Sequence, residues 1–409
     1  MSVDWDSLYA ERLQGMTTSV IRDILKVAQA PDIISMAGGW PEAALFPVNQ
    51  FREVAEYALT EQPEASLQYG LTDGYRPLRE EIAAMYRQRG VPITVENVAI
   101  TSGSQQALDL TARVFVDKGD PVLVEEPSFI GALQSFTGFQ CRYLTVPLDA
   151  EGVSLEGFRA ACRAKPKFAY LLPNFQNPTG VTMSLVRRQQ IVDLAAKEGV
   201  CILEDDPYGQ LRFEGDHLPS LLALNAQRYS ENGALGRYVK GDVIHLGTFS
   251  KTLAPGLRLA WAIGTPEIIN KLVMAKQGAD LHTNALAQTM ACEFMRRGWL
   301  PAQITRIRET YRLRATAMQE AIAEYFPADV RTTHPQGGLF LWVTLPEGIN
   351  TVELLPEAAA HKVAFVPGAP FFANGGGENC LRLAYATMEP EVIREGIRRL
   401  GEVIKVHMG

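Results

Sequence analysis

Between residues 98 and 280 the chain alternates two kinds of hydrophobic pattern. Short, nearly unbroken apolar runs fall at 98–101, 122–125, 168–172, 200–204, 243–247 and 258–263. Stretches with apolar residues every third or fourth position fall at 76–88, 104–116, 184–198, 266–277, 286–297 and 302–325. Runs with no polar alternate face predict strands buried on both sides, as in a mostly parallel sheet covered by helices. The pattern then changes style. After 302–325 comes Gly337-Gly338-Leu339-Phe340-Leu341-Trp342-Val343, then a helix, two short strands (363–366 and 381–386) and a last helix over 389–406. This predicts a smaller α+β unit. The first 45 residues carry an amphipathic helix at 17–28 and an irregular Met36-Ala37-Gly38-Gly39-Trp40-Pro41. A glycine pair there either makes a turn or lets backbone approach a ligand. The expected organisation is an α/β protein with an arm at 1–45, a large domain at 46–290 and a small domain at 291–409.

Composition narrows the setting. The 409 residues are 47% apolar and 21% charged, which suits a soluble globular chain of about two domains. A net charge of −7 argues against nucleic acid or an anionic membrane as partner. The five scattered cysteines include no C-x-x-C and suit a reducing, cytoplasmic setting. The six histidines show no metal-ligand spacing. The polar N-terminus resembles no signal peptide, and no run is long enough to span a bilayer.

The chemistry lies at the ends of the strands, where ligands gather in open α/β sheets. After 243–247 comes Thr248-Phe249-Ser250-Lys251-Thr252-Leu253-Ala254-Pro255-Gly256-Leu257-Arg258. An amine, two hydroxyls and a guanidinium on one loop suit an aldehyde that carries a phosphate: pyridoxal phosphate (PLP), held as a Schiff base on Lys251. A lone S-x-K is more often a solvated surface lysine, so the other strand ends matter. After 98–101, Ser102-Gly103-Ser104-Gln105 opens a helix and can cradle phosphate, although serine is also a common cap. After 122–125, Phe129 can stack on a flat ring or simply fill core. After 168–172, Asn177 in N-P-T-G can donate to a phenolate oxygen, or the segment is only a turn. After 200–204, Asp205 is a costly buried acid unless paired, and a pyridinium N–H⁺ would pair it. Tyr208, three residues on, reaches toward the ring's 3-oxygen. Each motif alone is ambiguous; together they follow one chemical order. In that set Asp205 keeps the ring protonated, and a freed Lys251 moves a proton between substrate Cα and cofactor.

These segments resemble the fold-type I, PLP-dependent class I/II aminotransferases from about residue 15 to the end. S-G-S-Q-Q-A-L, N-P-T-G, E-D-D-P-Y and S-K-T-L-A-P-G-L-R carry the resemblance. S-V-I-R-D-I-L at 19–25 and Asp280-Leu281-His282-Thr283 bring it nearer the aminoadipate/kynurenine aminotransferase-like subgroup. The resemblance implies a mostly parallel seven-stranded sheet in the large domain. It also implies a homodimer with shared sites and transfer of an amino group from an L-amino acid to a 2-oxo acid. Further roles follow from it. Arg382 would bind the α-carboxylate, and Tyr69 would reach the partner subunit's cofactor phosphate. Gly39 would contact substrate through its backbone, and Arg22 would read a side-chain carboxylate. Three positions depart from the family pattern: Trp40 in place of a smaller apolar residue, Thr248 for serine and Phe129 for tyrosine. Trp40 bears on the substrate class by narrowing the side-chain pocket. Two alternatives stay open: a lyase, decarboxylase or cyclopropane-forming synthase on the same scaffold, or a regulatory domain without activity.

Overall fold

The protein is described by a computed structural model covering residues 3–16, 32–231, 238 and 240–408. The expected helix at 17–28, and Arg22 with it, lies outside the described residues.

A large sheet is built from Val98–Thr101 (β1), Pro121–Glu126 (β2), Arg142–Asp149 (β3), Ala169–Leu171 (β4), Ile202–Asp205 (β5), Val243–Thr248 (β6) and Ala260–Ile263 (β7). Their spatial order is β1-β7-β6-β5-β4-β2-β3. Neighbours pair in parallel except β7, which runs antiparallel to both β6 and β1. An eighth, two-residue strand, Gly152–Val153, folds back onto the end of β3. The expected seven strands are thus present with one short edge piece added. Six of them coincide with the apolar runs. The seventh, β3, is a partly exposed strand near the sheet edge, and its mixed pattern hides it.

Alternation along the strands sends side chains to two cores. Val124, Tyr170, Leu203 and Leu246 join one apolar cluster, while Leu123, Leu171, Ile202 and Val243 join the other. Gly247 on β6 has no room for a side chain, because a Cβ there would meet the Trp261 indole at 2.4 Å. Covering helices are capped locally. Leu185–Glu198, for example, begins where the Ser184 side chain accepts from the Arg187 N–H and ends at Gly199 with φ +69°.

The C-terminal region forms a four-stranded antiparallel sheet ordered Arg331–Thr332, Phe340–Thr344, Cys380–Ala384, Val366–Pro367. Helices Leu300–Tyr325 and Pro390–Met408 pack on each other beside it. The first apolar cluster continues into this region through Ile307, Met318, Leu381 and Ile397. One further pairing matters for the site. Ile34–Ser35 runs parallel to Val363–Ala364 and holds the segment that follows, Met36–Trp40, against the C-terminal sheet.

Candidate active site

The C-terminal ends of β4, β5 and β6 open onto a cavity of about 360 Å³. Its walls include Gly39, Trp40, Ser104, Gln105, Phe129, Asn177, Asp205, Tyr208, Thr248, Ser250, Lys251, Arg258 and Arg382. Ala37 lines it too, so residues 345 positions apart in sequence, Ala37 and Arg382, meet around one space.

Lys251 follows the end of β6, and its Nζ donates to the Gly39 carbonyl at 2.7 Å. Burial, then the nearby Arg382 and Arg258 guanidiniums, push its pKa down to about 8. A part-neutral amine is what a lysine nucleophile requires. The Thr248 hydroxyl lies 2.9 Å from the Ser250 hydroxyl and 3.0 Å from the Leu259 carbonyl, and it accepts the Ser250 N–H. Arg258 closes the loop in the left-handed region at φ +52°. Its guanidinium lies against Gly103, where an added Cβ would sit 2.2 Å from Nη2. Only glycine fits there, and Gly103 itself has φ +86°.

Gly103 is the N-cap of helix Ser104–Phe115. The Gln106 and Ala107 N–H groups turn back onto the Gly103 carbonyl at 3.1 and 3.4 Å, and the buried Ser104 Oγ has no partner among the described residues. The Gln105 side chain is engaged elsewhere, donating to the Gly131 carbonyl at 2.7 Å and the Ser135 hydroxyl at 2.6 Å.

Asp205 ends β5. Its Oδ2 accepts from the Tyr170 hydroxyl at 2.8 Å, while the buried Oδ1 has no partner among the described residues. Burial pushes its pKa up to about 7 despite the Tyr170 bond. Tyr208 is buried and stands edge-on to Phe340, with ring centroids 5.9 Å apart. Asn177 accepts from Arg382 Nη1 at 3.0 Å and Ala37 accepts from Nη2 at 3.0 Å. The Arg382 guanidinium lies 4.2 Å from the Phe340 ring centroid and 5.3 Å from that of Phe371. Burial lowers its pKa to about 10, and its Nε has no partner among the described residues. A buried cation with no carboxylate partner among the described residues suits an anionic ligand.

Two expected residues stand apart. Tyr69 is 79% exposed, edge-on to His282, and does not line this cavity. Trp40 does line it, but 43% of it is exposed and its ring folds back over Gly38. Phe340 and Tyr170 were not anticipated. Phe340 appears in the sequence only as one apolar residue of a strand, and Tyr170 as part of another; only strand register shows what they touch.

These groups fit PLP closely. An amine, a partnerless carboxylate oxygen, a partnerless serine hydroxyl at a helix start and an arginine beside a glycine surround a cavity fit for a small aromatic ring.

Those features define a fold-type I enzyme of PLP chemistry. The chain belongs to the aminotransferase class I and II family, whose profile matches residues 42–400. It is 45% identical to a 2-aminoadipate transaminase of Thermus thermophilus over 404 residues, 98% of each chain. It is 41% identical to aromatic-amino-acid aminotransferase 1 of Thermococcus litoralis, covering 100% of this chain and 96% of that one. The crystal structure of an α-aminoadipate aminotransferase from Thermus thermophilus, complexed with N-(5'-phosphopyridoxyl)-L-leucine, superposes with a TM-score of 0.90. It shares 43% identity, with 99% of both chains covered. The chain is a PLP-dependent aminotransferase.

Proposed function

We propose that the protein transfers amino groups from acidic, aromatic or branched L-amino acids to 2-oxoglutarate, by a ping-pong sequence, as a homodimer in the cytoplasm. The observation that carries this is one cavity with Lys251, the bare Asp205 oxygen and the anion-seeking Arg382 on its walls. Acidic and aromatic donors are favoured because relatives at over 40% identity are named for them.

Bound here, PLP supplies an aldehyde that condenses with amines and a ring that accepts the electrons released at the substrate Cα. The chain's residues do the rest. Ser104, Thr248, Ser250, Arg258 and the helix start at Gly103–Gln105 hold the phosphate. Phe129 covers one ring face. Asn177 and Tyr208 donate to the 3-oxygen. Asp205 faces the ring nitrogen. Arg382 takes the α-carboxylate, and its contacts to Asn177 and Ala37 fix the guanidinium before substrate arrives. Lys251, with an amine already part-neutral near pH 8, carries the proton to and from Cα. Gly39 contacts substrate through its backbone, and Trp40 walls the side-chain pocket. Tyr69, exposed here, reaches the neighbouring subunit's phosphate, and Arg22 reads acidic side chains.

A half-reaction screen tests this. The cofactor-loaded enzyme is mixed with single amino acids and the cofactor absorbance is followed. Glutamate and at least one of aminoadipate, phenylalanine or leucine should convert it fully to the pyridoxamine form. Pyruvate or carbon dioxide release without that conversion would make the enzyme a lyase or decarboxylase. Borohydride reduction should label Lys251, and label on another lysine would refute the assignment. Arg22→Ala should lower kcat/KM for acidic donors by about ten- to hundredfold and spare leucine; a uniform loss would make Arg22 structural.

A further inference from the structure

The two oxygens of Asp205 are treated unequally. Among the described residues Oδ1 is buried and without a partner at the cavity, whereas Oδ2 receives one hydrogen bond, 2.8 Å from the Tyr170 hydroxyl. Tyr170 lies on β4 and pairs in register with Leu203 on β5. Residues 203 and 205 share a face, so register alone brings the hydroxyl beneath the carboxylate. The tyrosine is fully buried and its ring stands edge-on to Phe136 at 5.6 Å, which fixes its aim.

We propose that Tyr170 is a positioning residue that decides where the proton rests between Asp205 and the ring nitrogen of the bound cofactor. The proposal rests on the assignment of Asp205 made above. A hydrogen bond to Oδ2 draws charge from the whole carboxylate, so Oδ1 becomes a weaker base and the proton stays on nitrogen. The charged and titratable groups around Asp205 do not replace that donor. Glu204 and Asp206 on either side of it in the chain raise its pKa, as burial does; His245 on β6 lowers it, but after Tyr170. Glu125 at the end of β2 is itself held largely neutral, its pKa pushed up to about 8 by burial. Burial also keeps the Tyr170 hydroxyl protonated, so it donates at every working pH.

The test uses holoenzyme carrying PLP labelled with ¹⁵N in the ring. In the native protein the ¹⁵N signal should report a protonated ring. In Tyr170→Phe it should move toward the unprotonated value, and kcat should fall about ten- to hundredfold with KM changing far less. Phe136→Leu loosens the same packing but keeps the hydroxyl, and should leave the signal in place. If it moves the signal as far as Tyr170→Phe does, the effect belongs to packing and the proposal fails. An unmoved signal in Tyr170→Phe, with a moved one in Asp205→Ala, also overturns the proposal but leaves the Asp205 assignment standing. An unmoved signal in both variants overturns the assignment itself. Should Tyr170→Phe fold poorly, 3-fluorotyrosine at position 170 donates more strongly. It should hold the ring protonated to higher pH, and an unchanged titration would overturn the proposal.

Discussion

Glu204 and Asp205 are consecutive carboxylates at the end of one buried strand, and they face opposite sides of the sheet. Glu204 is satisfied at every turn. It lies 2.7 Å from His245 Nδ1 and accepts the Leu221 and Leu222 N–H groups at 2.8 and 3.0 Å. His245 continues to the Tyr86 hydroxyl at 2.7 Å, which also receives the Trp261 indole N–H at 3.2 Å. Asp205 has one donor and one bare oxygen. A closed network of buried polar groups rigidifies a fold; an open one is a place for a ligand. The two sides of the strand therefore separate stability from chemistry within one peptide unit.

The comparison breaks first at Asp205. Asp205→Ala should cost turnover by several kcal/mol, about a thousandfold or more, by analogy with other preorganised electrostatic sites. Its thermal stability should fall much less than that of the Glu204 variant below, because loss of an incompletely paired acid offsets the acceptor lost by the Tyr170 hydroxyl. Measured melting and kcat would show it, and a large loss of stability would erase the distinction.

Glu204→Ala should do the reverse. Removing one partner of a buried ion pair leaves the other stranded, at about 3–5 kcal/mol of stability. The folded fraction should retain near-native kcat. Denaturant unfolding with parallel assays tests both halves.

The same pair has a pH signature. His245 is raised by Glu204, although burial opposes it, and Glu204 is lowered by His245, again against burial. The stability from His245 is complete below the unfolded imidazole value of about 6.5 and fades as pH rises through the folded value. That from Glu204 is complete above about 4.3 and fades as pH falls through its folded value. The stability gap between the wild type and Glu204→Ala should be widest between those limits. A gap that grows steadily toward pH 9 would contradict the ion pair.

On the open side, covalent attachment of PLP to the apoenzyme should accelerate with a midpoint near pH 8, set by Lys251, instead of the usual lysine value of about 10.4. Stopped-flow absorbance would reveal it. The smallest effect should come from Asp206→Ala. Asp206 accepts from Asn174 at 3.0 Å and from the Gly209 N–H at 2.8 Å, but it does not line the cofactor cavity. A kcat loss under about tenfold is expected, and a loss equal to that of Asp205→Ala would mean the wrong acid was assigned.

Much of this is legible in the order of the amino acids. Strands buried on both faces leave continuous apolar runs, so β1, β5 and β6 announce themselves, and the residues just beyond them can be read off as ligand contacts. Pattern alone misses β3, since a strand that is partly exposed mixes polar and apolar residues. Register is out of reach as well. Nothing in F-A-Y-L-L says that its tyrosine will sit under an aspartate 35 positions on. Nothing in Phe340 says that it will brace both Tyr208 and Arg382. Glu204 reads as part of an apolar run because its partners come from another strand and a helix start. Resemblance supplies Arg382, which the structure brings to the cavity, and Tyr69, which it leaves at the surface of a single chain.

The parallel pairing of Ile34–Ser35 with Val363–Ala364 has a consequence for how the enzyme is born. Arg382 leaves the ribosome 345 residues after Ala37, to which it donates. Throughout that interval the loop that carries Lys251 can fold, once its sheet is made, but the Met36–Trp40 segment has nothing to lean on. Contacts that span so much chain must await the last of their residues. A nascent chain stalled near residue 360 should therefore present a lysine and a phosphate cradle to solvent with no gate over them. Amino-acid chemistry begins only when these two distant segments meet.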